Sequence, residues 1–284
     1  MEETFAGIKK GENMRFIFAS DLHSNKALYN DLERLILLKK PDFLIIGGDL
    51  FAYSPYAEPQ IEFAKEYLEQ FIERIDIPVY IVPGNCDKPV SINYLEKMQY
   101  NGLLNIFNLS GTKINSIEFF GYHYIQPGPY KIKDWERRDL DNDNIVFEGT
   151  CLLSDGNDKL NVVPNDFLNY LPSIEEDLSI LNNKESVWVI HTPPFGGILD
   201  KNYANVCGGS KAVRKSIERV QPILTLHGHI HEAPRMSGWW YEQIGDTISV
   251  NPGSGDSLHA VICEIDEEGK IISVVHALYG KLLI

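Results

Sequence analysis

Five stretches of this 284-residue chain end in residues able to bind a cation or move a proton. Phe16-Ile-Phe-Ala-Ser leads into Asp21-Leu-His23, and Leu44-Ile-Ile-Gly47-Gly48 leads into Asp49. Tyr80-Ile-Val-Pro-Gly84 leads into Asn85-Cys86-Asp87. Val187-Trp-Val-Ile leads into His191, and Ile223-Leu-Thr-Leu into His227-Gly228-His229-Ile-His231. Imidazole and carboxylate together suit borderline divalent ions such as Mn, Fe, Zn or Ni. A carboxylate at Asp49 can bridge two such ions. Two ions about 3.5–4 Å apart clamp the attacking and leaving oxygens of an in-line displacement. The glycines preceding these ligands let the backbone turn sharply and approach closely.

Residues so far apart act together only if the fold brings them to one edge. Each polar cluster follows a short apolar run of strand length, and between the first runs lie amphipathic segments. Asn25 to Lys39 has Leu28, Leu32, Leu35 and Ile36 near helical spacing, and Glu58 to Ile75 carries the stripe Ile61, Ala64, Leu68, Phe71 and Ile72. The order strand (Phe16 to Ala19), helix, strand (Phe43 to Ile46), helix, strand (Val79 to Val82) predicts an α/β architecture with a buried sheet. In open α/β sheets ligands bind beyond the carboxyl ends of the strands, so all five clusters can converge on one crevice. Leu103 to Leu109 and Ile117 to Tyr124 read as strands, expected to pair antiparallel. Ile174 to Leu181 reads as a helix, and Ser210 as the N-cap of a helix running to Val220. Val187 to Ile190, Ile223 to Leu226, Ala260 to Ile265 and Ile271 to Ala277 read as further strands.

The ordered set Asp21-x-His23, Gly48-Asp49, Gly84-Asn85, His191 and Gly228-His229-x-His231 resembles the calcineurin-like metallophosphoesterase superfamily, from about Met14 to the C-terminal strands. That resemblance implies a four-layer αββα sandwich of two mixed sheets. It implies one divalent ion held by Asp21, His23, Asp49 and His231, and a second held by Asp49, Asn85, His191 and His229. Manganese is the ion favoured for activity. A hydroxide bridging the pair would attack phosphorus in line, with Asn85 and His191 also positioning the phosphate. Two divalent cations outweigh Asp21 and Asp49 even with that hydroxide present, so the site would be locally cationic. One position departs from the usual pattern: Cys86 stands where many members carry the histidine that protonates the leaving oxygen. A branch of the superfamily has this cysteine, and the resemblance then leans toward phosphodiesterases. Asp87 is expected to support whatever side chain occupies position 86. The alternatives are a phosphomonoesterase of the same superfamily, and a non-catalytic scaffold that kept the fold. The scaffold is disfavoured because all seven ligand residues are present.

Composition limits the partners. The chain is 44% hydrophobic and 23% charged, with net charge −14, as for an ordinary folded domain. Such a charge repels polyanions and disfavours general nucleic-acid or anionic-membrane binding. A small phosphorylated substrate remains compatible through metal charge. Cys86, Cys151, Cys207 and Cys263 have no CxxC pairing and are expected to be reduced. No run reaches the roughly 18 apolar residues of a membrane span. The opening MEETFAGIKKGENM has no apolar signal core, so a cytoplasmic location is expected. Residues 14–284 read as one domain, 1–13 as a flexible extension, and 126–170 as a surface excursion or partial lid.

Several other features have simpler readings. His227, at a strand end outside the ligand pattern, is expected to pack. His123 is expected at the surface, and His259 and His276 need no function. Asp139-Leu-Asp141-Asn-Asp143 resembles a calcium loop, but Asn144 and Thr150 replace its required glycine and glutamate. Gly208-Gly209-Ser210-Lys211 is read as an N-cap rather than a phosphate loop. Tyr130, Trp135 and Phe147 are candidates for a substrate wall or for core packing.

Overall fold

The computed structural model describes residues 13–282. Most of the N-terminal extension, residues 1–12, lies outside the described residues. Alternation within the strands explains the layering. In the first strand, Met14–Ala19, residues Ile17 and Ala19 face a helical layer with Leu28, Leu32, Leu68 and Leu95. Phe16 and Phe18 face the opposite way, packing with Phe119, Val187, Val189, Leu224 and Leu226 of a second sheet. In that sheet Trp188 and Ile190 point outward again, onto Ala212, Val213 and Ile217 of a helix. Successive side chains of a strand take opposite faces, and strands apolar on both faces must be covered on both. The result is helices, sheet, sheet, helices.

The first sheet has seven strands, with Met14–Ala19 at its centre. Phe43–Ile46, Val79–Ile81 and Asn105–Ile106 continue it in parallel on one side. Ala260–Ile265, Ile271–His276 and Gly280–Lys281 continue it antiparallel on the other. In the second sheet Ser186–Ile190 lies between Ile117–Tyr122 and Leu224–Leu226, both parallel to it. The parallel strands of both sheets end at the same edge of the sandwich, where the polar clusters begin. No helix among the described residues is long and apolar enough to cross a membrane.

The expected antiparallel pairing of 103–109 with 117–124 is not formed. Asn105–Ile106 is the parallel edge of the first sheet. Ile117–Tyr122 belongs to the second sheet and pairs antiparallel with Thr112–Ile114. The chain crosses between sheets here with Phe107 buried in the interface; an apolar run marks a buried strand but not its partner. Glu58–Ile75 is continuous as expected, with a π-helical turn at Ala64–Leu68. The helix Pro89–Tyr100 was not anticipated, although Pro89 occupies its favoured first turn and Ser91, Leu95 and Met98 form its buried stripe.

The 126–170 excursion has structure of its own: a hairpin of Cys151–Ser154 and Leu160–Val163, and a 3-10 turn at Phe167–Tyr170. Asp139 does not belong to an ion loop. Its buried carboxylate accepts hydrogen bonds from Ser210 Oγ (2.5 Å), Lys211 N (2.7 Å) and Ala212 N (3.2 Å). It thereby caps the helix Lys211–Val220 jointly with Ser210, whose Oγ accepts from Val213 N.

Candidate metal centre

The backbone at this edge is bent to aim side chains inward. Asp21, His23, Asp49 and His229 all have positive φ (56°, 45°, 49° and 65°). Non-glycine residues rarely adopt such a conformation, and it clusters at functional sites. Gly48 (φ 109°) could carry no Cβ, which would strike the His191 ring, and a Cβ on Gly84 would strike Asp49. The glycines therefore allow close approach between neighbouring ligand loops.

Asp21, His23, Asp49 and His231 place one donor atom each within 4.8 Å of all the others. His23 Nε2 and His231 Nε2 are 3.1 Å apart, and His231 Nε2 is 3.2 Å from Asp21 Oδ1. A second group surrounds Asn85, whose Oδ1 lies 3.1 Å from His191 Nε2 and 2.7 Å from His229 Nδ1. Asp49 stands between the groups: Oδ1 is 3.5 Å from His191 Nε2, and Oδ2 is 3.7 Å from His23 Nε2. All seven expected ligand residues are thus brought together.

The tautomers suit cation binding. His191 Nδ1–H donates to Gly47 O (2.8 Å), and His23 Nδ1–H to Phe51 O (3.3 Å). In the neutral ring each bond leaves Nε2 as the lone-pair nitrogen facing the carboxylates, the usual way a protein orients a ligating imidazole. Nitrogen lone pairs and carboxylate oxygens packed this closely repel one another unless protons or a cation lie between. The donor set, two carboxylates, four imidazoles and an amide oxygen, fits divalent cations.

Without a cation, protons take that role. Burial would lower His191, but Asp49 beside it prevails and raises it to about 9. Burial opposes the ionised form of Asp49, yet His191 and then His23 hold it well below the usual carboxylate range. Asp21 is likewise held low, by His231 against burial. Burial and then the charge of His191 lower His229 to about 4.

Cys86 sits beside the centre. Its N–H donates to Asp49 Oδ1 (2.7 Å), and its Sγ lies 3.7 Å from Asn85 Nδ2. Burial and then Asp49 push its thiol pKa up, so it stays protonated. Asp87 does not turn toward position 86. Its carboxylate accepts from the backbone N–H groups of Gly84 (2.8 Å), Phe51 (2.9 Å) and Leu50 (3.3 Å), tying the Asn85 loop to the Asp49 loop. Three backbone donors in its own fold leave it occupied. Gln60 was missed. Its Nε2 donates to Cys86 O and Ala52 O, and its Oε1 accepts from Lys88 N. A signal existed: Gln60 falls on the apolar stripe of its helix, and a buried amide must find partners.

His227 is buried, its Nδ1 within hydrogen-bond distance of Ile190 O and Thr192 O, as expected of a packing residue. His123 is half-buried rather than on the open surface. Its Nε2 is buried without a partner among the described residues, and its ring packs 4.7 Å from Trp135. Burial and then Arg137 lower it to about 3.

Above the centre is a cavity of about 530 Å³ with His23, Asp49, Asn85, His229 and His231 in its lining. Residues 126–130 and 207–209 form its walls, and among the described residues no lysine or arginine lines it. A smaller slot of about 130 Å³ shares Asn85, Cys86, Ile125 and Tyr130 with the main cavity.

Residues 14–233 match the model of the calcineurin-like phosphoesterase family. Among solved structures, the protein TT1561 of Thermus thermophilus is 14% identical, with TM-score 0.53, over 93% of this chain and 99% of its own. A dimetal phosphatase from Danio rerio is 11% identical, with TM-score 0.54, over 94% of this chain and 96% of its own. At such identities the likeness shows the sandwich fold alone. No protein of curated function matches. The family match runs from the first core strand past the last histidine motif, the same span whose loops converge on Asp49, and by that match the chain belongs to the calcineurin-like phosphoesterase family.

Proposed function

We propose that this protein is a dinuclear metal-dependent phosphoesterase acting on a small phosphate ester, preferentially a diester. The observation that carries the reading is the placement of Asp49, with one carboxylate oxygen toward His23 and the other toward His191. Asp21, His23, Asp49 and His231 would hold one cation, and Asp49, Asn85, His191 and His229 the other, with manganese the favoured ion. When bound, such a pair supplies Lewis acidity, activating water and neutralising charge that develops on a transferring phosphoryl group. Asn85, which lines the cavity, and His191, whose Nε2 lies 3.1 Å from Asn85 Oδ1, would orient the phosphate. The Gly47 and Phe51 carbonyls keep His191 and His23 in the ligating tautomer. The test is hydrolysis of a panel of phosphomonoesters, phosphodiesters and cyclic nucleotides with Mn²⁺, with and without chelator. Hydrolysis that survives complete chelation would sink the reading.

Loading the protein with metal should release protons. The metal-free centre keeps His191 protonated to about pH 9, whereas a ligating imidazole must be neutral. Apparent metal affinity should therefore fall as pH drops from 9 toward 6. Calorimetry in buffers of different ionisation enthalpy measures the protons released; zero release at pH 7 contradicts this account.

Cys86 sets the choice of leaving group. A protonated thiol is a poor general acid, so activated aryl diesters, which depart without a proton, should be cleaved well and alkyl monoesters poorly. Cys86→His should raise rates mainly for poor leaving groups. The gain should be a fraction of the roughly 10²–10⁴-fold that general acids supply, because Asp87 is committed elsewhere and cannot orient the new ring. Plots of log rate against leaving-group pKa should differ in slope between the proteins. Equal slopes would make Cys86 a packing residue.

A further inference from the structure

Accepting the phosphoesterase reading, we infer that the slot beside Cys86 seats a planar six-membered ring on the ester oxygen of the substrate, making single-phosphoryl aryl esters the preferred class. The slot opens directly off the main cavity, since Asn85, Cys86, Ile125 and Tyr130 line both. A phosphoryl group held beside Asn85 therefore points one ester substituent past Cys86 into the slot.

Its volume, about 130 Å³, is close to the roughly 150 Å³ cavity that admits benzene in an engineered protein. One ring fits, whereas a fused bicycle would protrude. One wall is rigid: Trp135 Nε1–H donates to Asp87 O (2.5 Å), and its indole packs edge-on against His123 and Tyr124. This also gives a role to the half-buried His123, as part of the support behind that indole. Tyr53 and Tyr130 flank the slot, and neither stacks on another ring among the described residues. Both are largely exposed, at 64% and 51%. Open aromatic faces beside a ring-sized slot are what offset stacking needs.

Charge narrows the class further. The slot's lysine, Lys88, is paired with Asp134 at 3.1 Å. Among the described residues no lysine or arginine lines the main cavity, and Glu232 stands on its wall, so none of them beyond the metal centre would receive a second phosphate. Nucleoside di- and triphosphates are therefore disfavoured.

The test is calorimetric binding of phenyl-, cyclohexyl- and methylphosphonate to the Mn²⁺-loaded full chain. Phenylphosphonate should bind about tenfold tighter than methylphosphonate, with cyclohexylphosphonate at least about threefold weaker than phenyl. Tyr130→Ala, a change at a half-exposed side chain, should weaken phenylphosphonate about fivefold more than methylphosphonate. If methyl- and phenylphosphonate bind equally, or if Tyr130→Ala weakens both alike, the ring slot is overturned while the phosphoesterase reading stands. Equal binding of cyclohexyl and phenyl overturns the planar-ring assignment. Failure of all three to bind overturns the phosphoesterase reading and this inference with it.

Discussion

Asp49→Ala should abolish phosphoester hydrolysis, by about 10³-fold or more, and lower bound metal from near two ions per chain to one or fewer. Removing a single preorganised donor at an electrostatic catalytic site costs about 10²–10³-fold, and Asp49 faces both ligand groups at once. It also accepts the Cys86 N–H, so its loss loosens the Asn85 loop. Two effects must be separated. Asp49 holds φ at 49°, which aspartate and asparagine tolerate better than alanine. Asp49→Asn keeps the backbone conformation and an oxygen but removes the charge. If charge is what matters, the asparagine variant should fold normally, bind metal weakly and hydrolyse little. Metal analysis and initial rates decide the matter. Two ions and undiminished turnover in either variant would refute the shared-ligand role.

Asp139→Ala should destabilise the protein by about 2–4 kcal/mol without touching the metal centre. Loss of a capping side chain costs about 0.5–2 kcal/mol, and a buried donor left unpaired costs about 1–3 kcal/mol. Here one carboxylate serves Ser210 Oγ, Lys211 N and Ala212 N. In a chain of this size the melting temperature should fall by roughly 3–7 °C. Asp139→Asn should recover part of the loss, because its oxygen still accepts. The same residue fastens the excursion to the body of the protein, so KM should rise while metal content holds. Added calcium should not restore the melting temperature. An unchanged melting curve would show that Ser210 caps the helix alone.

The candidate ligand residues were legible because metal chemistry restricts residue types and strands end abruptly. Asp21, His23, Asp49, Asn85, His191, His229 and His231 each follow an apolar run or a glycine, and such local patterns survive in one dimension. The αββα layering was legible for a similar reason: Phe16, Ile17, Phe18 and Ala19 are all apolar, so both faces of their strand had to be covered. Sheet membership was not legible at 103–124, since hydrogen bonds between strands are made by backbone atoms common to all residues. The roles of Asp87, Asp139 and Gln60 were equally hidden, as their partners are backbone groups up to 73 residues away. His123 showed the limit from the other side. Its chemistry suggested a wet surface, and only the packing of Trp135 and Tyr124 around it covers part of its ring. Sequence alone determined which residues could bind metal and that they lie at strand ends. Tertiary structure decided which backbone loops hold them, which way Asp87 points, and that a ring-sized slot opens beside Cys86, because those outcomes depend on contacts between segments that carry no mark of one another.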